Sequence, residues 1–341
     1  MRSVIKNIIS LCLGFLLIAL PARAQTLSFD AWLNNFKSEA LSRGITEATF
    51  QSAFAGVKPI QRVIELDRKQ PEKKIGFDQY QRNVLTAQRV AEGRRLLREN
   101  AAVLNAIEKQ YGVQAQYIVS LWGMETSYGK NTGGFDIIAS LATLAWEGRR
   151  GEYFSDELIK ALSILQNGHV SRDDFKGSWA GAMGQVQFMP TSWQRFAVDY
   201  NGDGHKDIWT TRADAFASAA NYLKGSGWVY GQRWGREVRL PANFNSSLVG
   251  KSIRKTLPEW SRLGIRAADG SALPNDPNIS AFVVTPIGAN GKAYLGYSNL
   301  ATIMKWNNSS YFAISVGQLA DQIAQGQIKA PPHSSNLHFN E

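Results

Sequence analysis

Hydrophobic residues recur at helical spacing along most of the chain. Residues 27–57 carry aromatic and aliphatic side chains three or four positions apart, and similar spacing returns in 77–99, 101–110, 152–168 and 300–328. Side chains spaced in this way share one face of a helix. We therefore expect a mainly helical protein in which most of these aromatic side chains face a core.

The pattern changes in two places. Residues 57–77 are polar and charged and include two prolines, which predicts an extended connector. Residues 225–297 are rich in Gly, Pro and Asn and contain short β-prone runs at 237–241 and 279–286. A helical pattern over 248–263 interrupts this part of the chain. We expect a small antiparallel β-containing region there.

The segment 117–146 places a carboxyl group on a buried helix. Ile118, Leu121 and Glu125 fall on one helical face, and the glycines that follow predict the end of this helix. Asp136 is the predicted N-cap of the next helix. Burial would raise the pKa of Glu125 and suit it to donate a proton near neutral pH. The alternative is a glutamate near a helix end with no chemical role.

A second unusual segment, 177–193, alternates Gly and Ala with large apolar residues. Such small residues allow the backbone to approach another surface closely. Ser178 and Gln187 are the polar side chains that would face a ligand. The alternative for this segment is a tight helix–helix packing motif.

Residues 199–210 carry the opening half of an EF-hand-type calcium loop, with a glycine, Gly204, at the sharp-turn position. Position 12, which should be a bidentate glutamate, is Thr210, and the nearest later carboxylate is Asp214. The candidate metal ligands all bear oxygen: Asp199, Asn201, Asp203, His205 through its backbone carbonyl, Asp207 and Asp214. We expect a calcium site here, with an Asx-rich turn that holds no metal as the alternative.

The N-terminal residues 1–24 predict a cleaved signal peptide: a positive start, an apolar middle and a small-x-small site at Ala22–Ala24. An uncleaved anchor is the alternative. The single cysteine, Cys12, lies within this segment and follows Leu11 rather than a small residue, so we expect neither lipidation nor a disulfide. The sequence favours a soluble exported protein of the bacterial periplasm, without a stable membrane anchor.

Composition and charge narrow the function little. The chain has 341 residues, 44% hydrophobic and 19% charged, which is ordinary for a globular protein with two or three subdomains. Its net charge of +10 falls to +7 without the three basic residues of 1–24. A basic protein could bind nucleic acid, anionic lipid or an anionic cell-wall polymer, but export argues against nucleic acid.

Several motifs together carry a resemblance to a known family. They are WGMETSYG at 122–129, SLATLA at 140–145, AGAMGQVQFMP at 180–190, the loop that starts at Asp199, and ANY at 220–222. With these motifs the chain resembles the bacterial lytic murein transglycosylases of the membrane-bound type B kind, including their soluble relatives. Their order and spacing agree over nearly the whole mature chain.

The resemblance implies a mainly α fold of the α+β class. Its parts are a lysozyme-like α core, a helical domain built from both chain ends and a small antiparallel β-containing domain. The expected boundaries are a helical domain at 25–110, the catalytic core at 111–227, the β-containing region at 228–299, a C-terminal helical segment at 300–330 and a flexible tail at 331–341.

The implied reaction is cleavage of the β-1,4 bond between N-acetylmuramic acid and N-acetylglucosamine in peptidoglycan glycan strands, leaving a 1,6-anhydromuramyl end. Glu125 matches the single catalytic acid/base, and no cofactor is needed for catalysis. The matching substrate-binding residues are Ser178, Gln187, Tyr80, Tyr222, Trp306 and Asn307. Trp306 stands where a tyrosine is usual, and Phe312 where another tyrosine is common. The family also binds calcium in the loop that matches 199–214.

Two other functions remain open at this point. A hydrolytic muramidase would use water and a second carboxylate, for which Asp136, Glu147 and Glu152 are near in sequence. A non-catalytic murein-binding scaffold would need neither, although Glu125 with Ser178 and Gln187 argues against it.

Overall fold

The computed structural model describes residues 27–69, 75–288 and 291–325. The predicted signal peptide at 1–24 and the predicted tail at 331–341 lie outside these ranges. In the described part of the chain, none of the helices combines the length and the apolar character needed to cross a membrane.

Short amphipathic helices form the first part of the structure. They are α1 (Phe29–Ser42), α2 (Glu47–Phe54), α3 (Gln61–Lys69), α4 (Phe77–Val84), α5 (Ala87–Glu99) and α6 (Ala101–Tyr111). The extended connector predicted for 57–77 is wrong over α3, because Val63 and Ile64 form a narrow apolar face that the surrounding charges obscure. The single helix predicted over 77–99 is also wrong, since Thr86 caps a new helix by accepting a hydrogen bond from the Arg89 amide.

The middle of the chain surrounds one buried helix. Its helices are α7 (Ala115–Thr126), α8 (Ile137–Glu147), α9 (Gly151–Gln166), α10 (Pro190–Phe196) and α11 (Arg212–Gly225). Two short strands, β1 (Phe135–Asp136) and β2 (Lys176–Gly177), pair antiparallel beside them. Helix α7 packs against α5, α6 and α11 and is apolar on nearly every side, as a helix at the centre of a core must be.

A small antiparallel sheet forms a second hydrophobic core. Its strands are β3 (Gly235–Arg239), β4 (Lys255–Thr256), β5 (Arg266–Ala267), β6 (Ser280–Val284) and β7 (Ala293–Gly296). The order across the sheet is β4-β6-β7-β3-β5, with Val283 opposite Leu295. Trp260 of α12 (Leu257–Arg262) covers it, together with Leu257. The helix predicted over 248–263 is therefore too long, because Val249 bridges Val283 at the sheet and only α12 is helical after it.

The last helices return to the first ones. Helix α13 (Ser298–Trp306) and helix α14 (Ser310–Ala324) are separated by the polar interruption that the sequence predicts, and Ser309 caps α14. Helix α14 packs against α4, α5 and α7. The prediction of a mainly α fold with a small antiparallel sheet is confirmed, while the exact domain boundaries stay a prediction.

Candidate active site

Glu125 lies in the last turn of α7, and a tyrosine fixes the backbone that follows it. Ser127 and Tyr128 both have a positive φ, 50° and 64°, a conformation that non-glycine residues rarely adopt. The Tyr128 hydroxyl donates to the Arg89 carbonyl at 2.7 Å. Its ring lies so close to Gly123 that a Cβ there would come within 2.6 Å of it. The end of α7 is therefore held in one conformation.

Thr126 links the end of α7 to residues 177–193, the glycine-rich segment. Its hydroxyl donates to the Gln185 carbonyl at 2.8 Å and accepts a hydrogen bond from the Gly129 amide at 2.9 Å. Thr126 is buried. A buried hydroxyl that both donates and accepts a hydrogen bond has little freedom to rotate. The segment around Gln185 therefore keeps a fixed position relative to Glu125.

The glycine-rich segment consists of turns between β2 and α10, so a helix–helix packing motif is the wrong interpretation. Its small residues do permit close backbone approach: a Cβ on Gly133 would lie 2.1 Å from the Gly177 carbonyl oxygen. The Ser178 hydroxyl accepts from the Ala182 amide at 2.9 Å, and Gln187 donates to the Thr132 carbonyl at 3.0 Å. Both side chains stabilise loops near the end of α7.

An indole makes the hydrogen bond to Glu125. Trp306 Nε1 donates to Glu125 Oε1 at 2.8 Å, whereas Ser178 and Gln187 make their described hydrogen bonds elsewhere. The Trp306 ring packs against Phe188, with ring centroids 5.2 Å apart, and edge-on against Tyr222 at 4.7 Å. Trp306 of α13 thus contacts Glu125 of α7, and α11 and the glycine-rich segment support the Trp306 ring.

Burial changes the acidity of this carboxyl group. Glu125 is half-buried and retains some solvent exposure. Desolvation raises its pKa from 4.5 to about 7, and the hydrogen bond from Trp306 opposes that rise. In the described part of the chain no charged side chain adds to these two effects. A carboxyl group of this kind can donate and accept a proton near neutral pH.

The other carboxylates near Glu125 in sequence have separate partners or face solvent. Asp136 caps α8, as predicted, by accepting from the Ala139 amide at 2.7 Å, and it pairs with Arg172 at 2.5 Å. Glu147 pairs with Arg68 at 3.0 Å. Glu152 is exposed in the first turn of α9.

Tyr80 lies on α4, and Asn307 lies in the turn that follows α13. Tyr80 of α4 is half-buried and its ring centroid lies 5.8 Å from that of Tyr311. Asn307 is exposed in the turn between α13 and α14 and accepts from the Ser309 amide at 3.2 Å. Phe312 is buried in α14. Of the predicted substrate-binding residues, Trp306 contacts Glu125 itself and Tyr222 contacts Trp306.

Sequence reasoning missed two residues of this site. Phe188 packs against both Tyr222 and Trp306, and Tyr128 holds the end of α7. Phe188 stands out in sequence as the large residue next to Gln187. The two adjacent positive φ values at 127 and 128 have no sequence signal, because non-glycine residues adopt them only when packing imposes them.

The loop after Asp199 folds around its own carboxylates. Asp199 accepts hydrogen bonds from the amides of Gly202, Asp203 and Gly204, at 2.8 to 3.2 Å. Gly204 has the left-handed conformation expected at the sharp turn, with φ +91°. Asp203 accepts from the His205 amide at 2.8 Å, which lowers its pKa. The opening half thus presents oxygen atoms of the type that calcium prefers.

The closing half of this loop does not complete a calcium site. The Thr210 hydroxyl donates to Asp207, and the Asp214 carboxylate accepts from the Tyr200 and Asp207 amides, each at 2.9 Å. Desolvation raises the pKa of Asp214, which is fully buried. Over the residues that the structure describes, no three Asp, Glu, His or Cys side chains are grouped to hold a metal ion. The donor set therefore fits calcium only in part.

Comparison with known proteins assigns the family. The family model described as "Transglycosylase SLT domain" matches residues 28–321. The chain belongs to this family, and it is a lytic transglycosylase, an enzyme that acts on peptidoglycan.

Individual relatives agree with this assignment. "Membrane-bound lytic murein transglycosylase B" of Escherichia coli K12 is 32% identical over 73% of this chain and 68% of its own length. The structure of SltB3 from Pseudomonas aeruginosa in complex with NAG-NAM-pentapeptide superposes with a TM-score of 0.85 at 45% identity, covering 90% of this chain and 83% of that one. SltB3 has also been solved in complex with NAG-anhNAM-pentapeptide. The lytic transglycosylase Slt35 of Escherichia coli in complex with calcium gives a TM-score of 0.75 at 29% identity, covering 86% and 92%.

Proposed function

We propose that this enzyme cleaves the β-1,4 bond between N-acetylmuramic acid and N-acetylglucosamine in peptidoglycan, forms a 1,6-anhydromuramyl end, and uses Glu125 as its single acid/base. The observation that carries the proposal is the half-buried Glu125 carboxyl group with a pKa near 7, held by Trp306 at 2.8 Å. A group with this pKa is present in both protonation states at neutral pH, as a residue that acts first as acid and then as base requires.

In the first step, protonated Glu125 donates its proton to the glycosidic oxygen as the bond to muramyl C1 breaks. In the second step, the Glu125 carboxylate takes the proton of the muramyl C6 hydroxyl, whose oxygen bonds to C1. The two steps return Glu125 to its starting state, and no water is consumed. The same carboxyl group serves both steps because donation leaves it as the base that the second step needs.

The surroundings of Glu125 favour this reaction over hydrolysis. Two-carboxylate glycosidases hold their second carboxyl group about 5–5.5 Å away when they retain configuration, and about 6.5–9.5 Å away when they invert it. The pKa of Glu125 reflects desolvation and Trp306 without a contribution from another described acid. The complex of a relative with NAG-anhNAM-pentapeptide also supports an anhydro product.

The remaining site residues have supporting roles in this proposal. The faces of Tyr222 and Trp306 would stack on sugar rings beside Glu125, and Tyr80 and Asn307 would contact the glycan further along the cleft. Ser178 and Gln187 would contact the sugar at the glycine-rich segment. Aromatic side chains suit this task because they present a large apolar face with polar edges.

We also propose that the loop binds calcium weakly through the oxygens of Asp199, Asn201 and Asp203 and the His205 carbonyl, and that Asp207 and Asp214 join this set only by giving up some of their present hydrogen bonds. The folded opening half and the calcium complex of Slt35 support this assignment. The absence of a glutamate at Thr210 explains the low expected affinity. Calcium would stabilise the loop and take no part in the cleavage.

The periplasm is the proposed location. The signal-peptide pattern of residues 1–24 and a peptidoglycan substrate both support export. The enzyme would act on glycan strands there without a membrane anchor.

The decisive experiment is mass spectrometry of the soluble products after purified peptidoglycan is digested with the mature protein. We expect muropeptides about 18 Da lighter than hydrolysis products, because no water is added. Glu125→Gln should abolish them, whereas Glu65→Gln, which alters an exposed carboxylate paired with Arg62, should not. Reducing-end products would identify a muramidase, and wall binding without products would identify a scaffold.

A further inference from the structure

The partner of Glu125 is a group that can only donate. An indole N–H has no lone pair available to accept a proton, whereas a tyrosine hydroxyl, usual at this position in the family, both donates and accepts. The Trp306 N–H bonds to Oε1 of Glu125 at 2.8 Å. That contact is compatible with an ionised carboxylate, and in the protonated form it favours a proton on the other oxygen, because a carbonyl oxygen is a better acceptor than the hydroxyl oxygen of the same carboxyl group.

We propose that Trp306 is a positioning residue: it holds Oε1 of Glu125 and directs the catalytic proton to Oε2. This inference rests on the proposed acid/base role of Glu125 and assigns a task to its neighbour. A proton on Oε1 would leave the indole N–H with the weaker hydroxyl oxygen as its acceptor, so the hydrogen bond favours the proton on Oε2. Oε2 is therefore the oxygen that gives the proton to the glycosidic oxygen and later takes the proton of the C6 hydroxyl.

The indole also affects the two steps differently. As Glu125 loses its proton, negative charge develops on the carboxylate and the bond from Trp306 strengthens, because hydrogen bonds to charged acceptors are stronger. The same bond opposes the return of the proton in the second step. Trp306 thus favours leaving-group protonation and partly offsets the effect of desolvation on Glu125. A tyrosine could instead accept the Glu125 proton in a hydrogen bond and direct it away from the substrate.

The position of the ring is well defined by its neighbours. Phe188 and Tyr222 pack on Trp306, and the Tyr222 hydroxyl donates to the Lys305 carbonyl at 2.8 Å. The Lys305 amine donates to the Ser226 carbonyl at 2.7 Å and so ties α13 to the end of α11. The indole N–H is therefore presented to Glu125 by a supported helix end.

The charged groups on the surrounding elements have other partners. On α5, Arg89 donates to Ser127; on α11, Arg212 lies over the Trp122 ring. Asp321 of α14 pairs with Arg233, and Glu108 of α6 accepts from the Ala115 amide. The remaining titratable side chains on these elements are Lys305 of α13; Asp214, Tyr222 and Lys224 of α11; Tyr117 of α7 and Tyr128 after it; Tyr311 of α14; Glu92, Arg94, Arg95, Arg98 and Glu99 of α5; and Lys109 and Tyr111 of α6. None of them contributes to the pKa of Glu125.

The test compares Trp306→Phe, which removes the N–H but keeps an aromatic ring, with the wild type and Trp306→Tyr. The first readout is the pH dependence of kcat/KM on purified peptidoglycan. The second is Trp306 fluorescence against pH, taken as the wild-type signal minus that of Trp306→Phe, because a protonated carboxyl group quenches a contacting indole. Trp146→Phe is the matched control: it removes an indole N–H that bonds to the Leu27 carbonyl at 2.7 Å, at the end of α8.

We expect the fluorescence difference to titrate near pH 7 in the wild type, and the titration to vanish when Glu125→Gln is the background. Trp306→Phe should move the alkaline limb of kcat/KM upward by about one pH unit, because the charged form loses its donor, and should lower kcat about tenfold. Trp306→Tyr should bring the alkaline limb part of the way back to its wild-type position. Trp146→Phe should change neither limb. If Trp306→Phe raises KM while leaving the pH limbs in place, the residue is only a stacking surface and the proposal is wrong.

The fluorescence titration is independent of catalysis, so it tests the contact between Trp306 and a titrating Glu125 even if Trp306→Phe is inactive. A wild-type fluorescence difference with no inflection between pH 5 and 9 would also overturn the proposal. Failure of the proposed function would give a different result: the wild-type protein would release no anhydro products, whatever the fluorescence of Trp306 shows.

Discussion

Replacing Glu125 with glutamine should inactivate the enzyme and also stabilise it at alkaline pH. The structure desolvates the Glu125 carboxyl group and raises its pKa from 4.5 to about 7. In the unfolded chain the group would titrate at its ordinary value. Glutamine has nearly the same shape, keeps an oxygen that can accept from Trp306, and carries no charge at any pH.

The size and sign of the effect follow from linkage. Below pH 4.5 the carboxyl group is protonated in both states and makes no difference. Between pH 4.5 and 7 the folded state binds more protons than the unfolded state, so the free energy of unfolding falls as pH rises. One pKa unit corresponds to about 1.4 kcal/mol, so the wild type should lose up to about 3 kcal/mol by pH 8. Glu125→Gln should be spared this loss.

The assay is urea unfolding of the mature wild type and Glu125→Gln at pH 4.5, 6, 7 and 8. Glu65→Gln is the control, since its exposed ion pair with Arg62 is worth at most about 1 kcal/mol. The wild type and Glu125→Gln should have nearly the same free energy of unfolding at pH 4.5. At pH 8 the glutamine variant should be about 2–3 kcal/mol more stable. The corresponding catalytic prediction is that kcat/KM falls as pH rises above about 7, because the acid form is lost.

A stability difference that stays constant from pH 4.5 to 8 would refute the reasoning. So would a glutamine variant less stable than the wild type at pH 8. Either result would mean that Glu125 is well solvated or that an uncounted cation compensates its charge. The desolvated acid/base would then have to be abandoned, whatever the products of the reaction.

Two further predictions concern the support of the site and the loop. Gly123→Ala should destabilise the protein by about 1–3 kcal/mol and reduce activity, because the new Cβ would lie 2.6 Å from the Tyr128 ring. Thermal melting measures the loss of stability, and product release measures the loss of activity. A variant with wild-type melting and activity would contradict the tight packing. Millimolar calcium should raise the melting temperature of the mature protein and a chelator should lower it, whereas Asp199→Ala should not respond; no difference between calcium and chelator in the wild type would count against a metal site.

The sequence predicted the candidate acid/base residue better than it predicted which side chains surround that residue. Helical spacing put Glu125 on a buried helix, and desolvation of its carboxyl group follows from that placement. The N-cap at Asp136 was also readable, because capping depends on residues close in sequence. The short helix α3 was hidden, since its apolar face is narrow and the charges around it dominate the pattern.

What only the tertiary structure decided is which side chains meet. Trp306 is separated from Glu125 by most of the chain, and periodicity alone gives no reason for its N–H to meet that carboxyl group. The positive φ values at Ser127 and Tyr128 likewise depend on Gly123 and Arg89, which contact Tyr128 only in the folded protein. Local sequence determines helices and caps through short-range contacts. The hydrogen bond from Trp306 to Glu125 depends on long-range packing, which brings α13 against the end of α7.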